Sequence, residues 1–92
     1  MALVIKFTPK SMSAAKYDEV IKRLEQAGAG APAGRLYHAC YGDKNELRVV
    51  DIWESSEKFD EFGPTLMPIL RDVGVDPGDP EISEVHNILG NQ

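Results

Sequence analysis

Apolar positions along the chain fall into six stretches, three with a period near two, two with a helical period and one short run. Residues 3–8, Leu-Val-Ile-Lys-Phe-Thr, are rich in β-branched and aromatic side chains and stop at Pro9, which predicts a first strand. Ser11 and Ser13 are candidate N-caps for a helix over Ala14 to Ala27. In it Tyr17, Val20, Ile21 and Leu24 recur at helical spacing as one apolar stripe. The pairs Asp18/Lys22 and Glu19/Arg23, acid first and four apart, occupy the other face. Gly28 ends the helix, and residues 28–34 read as a Gly/Ala/Pro linker. Arg35 to Tyr41 and Glu46 to Glu54 are expected to pair as a β-hairpin around the polar turn Gly42-Asp43-Lys44-Asn45. Ser55 is the natural N-cap of a second helix that carries Phe59, Phe62, Leu66, Ile69, Leu70 and Val73 inward and closes at Gly74. Pro64 and Pro68 remove amide donors inside it, so the pattern predicts a kink or two short helices, able to serve as a flexible lid. After a turn-rich loop over residues 75–80, Glu81 to Leu89 is the last strand.

The order β-α-β-β-α-β predicts an α+β, ferredoxin-like fold, a four-stranded antiparallel sheet with both helices on one face. In the third strand Leu47, Val49, Asp51 and Trp53 point one way, while Val50 and Ile52 point the other. Both faces are therefore largely apolar, and two helices can cover only one. A second copy of the chain is the economical cover for the other.

Ninety-two residues make a single domain, 1–92. A chain of this length buries only roughly 60–65% of its unfolded surface, which also raises the expectation of a homodimer. The formal net charge of −5, with no basic stripe, argues against nucleic acid. No apolar stretch reaches the length of a membrane span, and the first residues, Met1 to Lys6, do not read as a signal peptide. A single cysteine, Cys40, cannot form an internal disulfide and suits a reducing compartment, so a cytoplasmic location is expected.

The hairpin Leu36-Tyr37-His38-Ala39 through Arg48-Val49-Val50-Asp51-Ile52-Trp53-Glu54-Ser55 resembles the dimeric α+β barrel proteins related to antibiotic biosynthesis monooxygenases. The resemblance covers nearly the whole chain in element order, although its motifs, Tyr-His-Ala and Trp-Glu-Ser, are short. It implies that two sheets from two subunits close into a barrel, each subunit keeping a pocket between sheet and helices. Some members oxidise aromatic quinols without metal or flavin, and others degrade haem. For the first activity the pocket Trp falls on Trp53 and the strand-two Tyr on Tyr37. The expected Asn falls on Val49 and the expected aromatic hydroxyl on Phe59, so two polar contacts are missing. For haem degradation the helix-two Trp falls on Phe62 and the axial His on Asp72, which argues against that activity. Trp53, Tyr37, Phe59 and Phe62 are thus the candidate ligand-binding residues, and no cofactor is expected.

His38 and His86 are the only histidines, and both are placed inside strands. With an even hairpin loop His38 stands opposite Val49 and shares a face with Asp51 and Trp53; a one-residue bulge would put Tyr37 there instead. A site holding His38, Asp51, Trp53 and His86 could move protons near neutral pH, because a carboxylate orients the imidazole. The alternative is that these are strand residues with ordinary partners. Asp51 is the most informative of them, since a buried carboxylate needs a histidine or arginine partner. No metal is expected, because only His38 and Cys40 share a face. The glycines after the first helix follow it rather than precede it, so no phosphate loop is present. Two readings result: a dimeric barrel that binds a small hydrophobic or aromatic ligand, or a cofactor-independent monooxygenase acting on a phenol or quinol. A cavity with a His–Asp pair would favour the second.

Overall fold

The computed structural model describes residues 1–89, in the order β1 (Leu3–Phe7), α1 (Ala14–Gln26), β2 (Arg35–Asp43), β3 (Glu46–Trp53), α2 (Ser56–Val73) and β4 (Glu81–Glu84). Four antiparallel strands form one sheet in the order β2-β3-β1-β4, the ferredoxin-like arrangement. Both helices lie over one face, which we call inner. The alternation in β3 sets this face: Val49, Asp51 and Trp53 are buried, and Trp53 and Ile5 are fully so. Met12, Val20, Leu24, Phe62, Leu70 and Val75 complete the core against them.

Both helices start where the sequence places their caps. The Ser13 side chain accepts from the Lys16 amide, and the Ser55 side chain from the Lys58 amide, each at 3.2 Å. Gly74 ends α2 in the left-handed conformation, with φ 87°, open to glycine at no steric cost. Two backbone bonds tie the hairpin to the head of α1: Ala14 donates to the Lys44 carbonyl at 2.7 Å and Leu47 to the Met12 carbonyl at 2.8 Å. They place the first turn of α1 over the hairpin's inner face.

Four expectations are corrected. Helix α2 is continuous from Ser56 to Val73, so neither the break nor the lid exists. Pro64 and Pro68 lie one turn apart on its exposed side, and the carbonyls they leave without a donor, those of Asp60 and Pro64, belong to exposed residues within reach of water. The hairpin turn is two residues shorter than expected: Gly42 and Asp43 extend β2, and Asp43 pairs with Glu46. The shift is even, so every side chain keeps its face, but His38 stands opposite Asp51 rather than Val49. Strand β4 ends at Glu84, because beyond Val85, whose amide bonds the Ala2 carbonyl at 2.9 Å, no strand remains to pair with. His86 therefore lies outside the sheet and is exposed.

Tyr37, Ala39 and Tyr41 of β2, Arg48, Val50 and Ile52 of β3, and Val4 and Lys6 of β1 form the outer face, which no element among the described residues covers. Tyr37 is 55% exposed there. Among the described residues no helix is long and apolar enough to cross a membrane.

Candidate functional site

The chemistry on the inner face begins with Asp51. Placed mid-strand between Val49 and Trp53, its carboxylate is 6% exposed and needs donors. One oxygen accepts from His38 Nδ1 at 2.5 Å across the β2–β3 pair, and the other takes a long bond from the Trp53 indole N–H at 3.4 Å. Because an ionised carboxylate only accepts, Asp51 fixes the histidine tautomer with hydrogen on Nδ1. Nε2 is then left as an acceptor, and the Tyr17 hydroxyl donates to it at 2.6 Å. The result is a continuous line, Tyr17–His38–Asp51–Trp53, that runs from α1 through two strands into the core.

Tyr17 is the member that the pattern of the sequence did not reveal. Its position in the apolar stripe of α1 suits packing, and it does pack on the core. The available signal was its hydroxyl, since a half-buried tyrosine usually finds a partner. Burial pushes the Tyr17 phenol above its ordinary range; Cys40, Asp51 and Asp18 act in the same direction and Arg35 against it. Cys40, inward-facing on β2, is likewise pushed up by burial and then by Asp18, so its thiol stays protonated.

The line opens on a cleft between helices and sheet. Its walls are apolar, with Phe7, Met12, Val20, Leu24, Phe62 and Leu70 among them, and Tyr17, His38, Asp51 and Arg35 are their polar members. The room inside is small, about 70 Å³, and the cleft opens to solvent at its mouth. A small aromatic molecule entering through the mouth suits that shape.

The expected site residues divide accordingly. His38 and Asp51 are together, and Phe62 lines the cleft. Trp53 is a layer behind, fully buried, its ring 5.6 Å from Phe59 and 5.5 Å from Phe62; both Trp53 and Phe59 support the wall rather than form it. Tyr37 points to the outer face and cannot touch a ligand in the cleft of the same chain. The bulge that would have exchanged it with His38 exists, but at Leu36, beyond His38 from the turn. His86 makes no contact with the site. Among the described residues no three His, Cys, Asp or Glu side chains converge as metal ligands.

No family model and no curated protein matches this sequence. Its fold has counterparts among solved structures. SnoaB, a cofactor-independent oxygenase from Streptomyces nogalater, superposes with a TM-score of 0.64 at 16% identity, covering 98% of this chain and 96% of that one. A structural-genomics protein, YJCS, gives 0.66 at 14% identity over 94% of this chain and 100% of its own. A protein of Chloroflexus aurantiacus J-10-fl, provisionally named an antibiotic biosynthesis monooxygenase, gives 0.61 at 15% over 97% and 95%. At these identities the likeness is one of fold: the chain has the ferredoxin-like architecture of antibiotic biosynthesis monooxygenase-like proteins.

Proposed function

We propose that the cleft takes up a small aromatic molecule bearing an ionisable hydroxyl, and that His38, oriented by Asp51, accepts the hydroxyl proton at Nε2. The observation that carries this reading is the His38–Asp51 pair in the wall of an otherwise apolar cleft. Such a wall binds a ring by burial of apolar surface, and a few placed polar groups give the orientation. The Tyr17 hydroxyl donates to Nε2, so a ligand hydroxyl either replaces it or hands its proton on through it. The outer sheet face, with Tyr37, Tyr41, Val50 and Ile52, we assign to a second copy of the chain, giving a homodimer.

The fold shared with a cofactor-independent oxygenase favours a further step. A deprotonated hydroquinone is electron-rich enough to reduce oxygen itself. One ring C–H becomes C–OH while the hydroquinone becomes a quinone, so one atom of O₂ stays on carbon and the other leaves as water with the two hydroxyl hydrogens. The substrate supplies all the electrons, so the protein need supply only a dry pocket and a base.

Amide NMR titration with naphthohydroquinone under argon tests the binding. The expected shifts fall on cleft residues such as Val20, Leu24, Leu66 and Leu70, and His38→Gln weakens them. Shifts confined to the outer face would defeat the reading. An oxygen electrode under air, with the same compound and a chelator present, then tests the oxygenase step.

A further inference from the structure

The Leu36 bulge does more than leave His38 in place. By simple alternation Arg35, three residues from inward-facing His38, would point outward. The extra residue reverses it: Arg35 pairs with Trp53 and Tyr37 with Ile52, so Leu36 bulges out and Arg35 turns to the inner face. Arg35 and His38 are thereby neighbours on one side of β2, across from Trp53 and Asp51, about 7 Å apart by the strand repeat. Both line the cleft.

The backbone that delivers Arg35 is held on both sides. The Arg35 amide donates to the Pro32 carbonyl at 3.3 Å, and the Gly34 carbonyl accepts from Glu54 at 2.8 Å. Gly34 has φ +88° and sits so close to Lys58 that an added Cβ would lie 2.5 Å from the lysine Cβ. The guanidinium itself is under-used. Of its five N–H donors one reaches the Gly30 carbonyl, at 3.2 Å, and among the described residues it makes no ion pair. An apolar cleft rejects an anion unless a cation meets it, and here one stands at its edge.

We infer that Arg35 is a specificity-determining residue that selects aromatic ligands carrying, besides the hydroxyl directed at His38, a second and anionic oxygen group such as a carboxylate. The inference rests on the aromatic-hydroxyl reading above and adds the ligand's charge to it. The two polar walls then read opposite ends of one ring, His38 taking the proton and Arg35 the anion.

The test compares para-hydroxybenzoate with its methyl ester, which keeps ring and hydroxyl but loses the charge, by NMR titration at low salt. Wild type is expected to bind the acid about tenfold or more tightly than the ester, the size of a charge-assisted hydrogen bond. Arg35→Gln is expected to abolish that preference, and Arg35→Lys to retain part of it. His38→Gln should weaken both ligands and leave their ratio. Equal binding of acid and ester by wild type, or a preference that survives in Arg35→Gln, overturns the inference and leaves the aromatic-hydroxyl reading standing. Failure of wild type to bind either probe in the cleft overturns both.

Discussion

The two faces of this sheet both carry apolar side chains but are completed differently. On the inner face Ile5, Val49 and Trp53 are closed over by α1 and α2, and the one buried carboxylate, Asp51, is matched by His38 and Trp53. On the outer face Val4, Val50 and Ile52 are half-buried by their strand neighbours alone, and Tyr37 and Tyr41 stand in solvent. Stability and the candidate chemistry are therefore concentrated on one side, while the other is left uncovered among the described residues. The contrast also explains why a thin core tolerates an ion there: Asp51 spans two elements instead of leaving a charge unpaired.

The contrast breaks first if the inner face proves dispensable. Trp53→Ala removes the largest fully buried side chain and should cost about 3–5 kcal/mol in urea unfolding, enough to threaten a domain of this size. Asp51→Asn keeps the shape but exchanges an acceptor for a donor opposite His38, and should cost about 1–3 kcal/mol. If that variant melts like wild type but no longer transfers protons, the pair serves chemistry rather than folding. Tyr37→Glu should leave secondary structure intact and shift sedimentation equilibrium at micromolar concentration toward the 10.1 kDa monomer. A wild-type protein that sediments as a monomer would remove the role given to the outer face.

The smallest effect concerns Tyr17. Its phenol is raised by burial above the ordinary value of 10.0, so the folded state holds this proton after the unfolded chain has released it. The associated stability is fully present below pH 10 and is lost as pH rises through the folded value. Alkaline ultraviolet titration of wild type minus Tyr17→Phe should give a phenolate component rising above pH 10, and a component rising below it would contradict the placement.

The alternation of β3 made the sheet's facing legible, and with it the need of Asp51 for a partner, because period and burial follow from the same pleat. The rest was hidden for separate reasons. Tyr17 counts as apolar in a helical stripe, so periodicity recorded its ring and missed its hydroxyl. Arg35 changed faces through a bulge, which leaves no mark in composition. His86 continued an alternating pattern past Glu84, although pairing requires a neighbour that the pattern cannot supply. The two prolines broke no helix because both fell on the exposed side, one turn apart.

The central claim, that His38 is a proton acceptor held by Asp51 inside the cleft, is tested most directly by NMR of the imidazole nitrogens in ¹⁵N-histidine-labelled protein. Only two histidines are present, and exposed His86 is the internal control. The free protein should give His38 with hydrogen on Nδ1, and saturation with naphthohydroquinone under argon should protonate Nε2 while leaving His86 unmoved. A His38 ring that keeps its resonances while the hydroquinone is bound in the cleft would contradict the account.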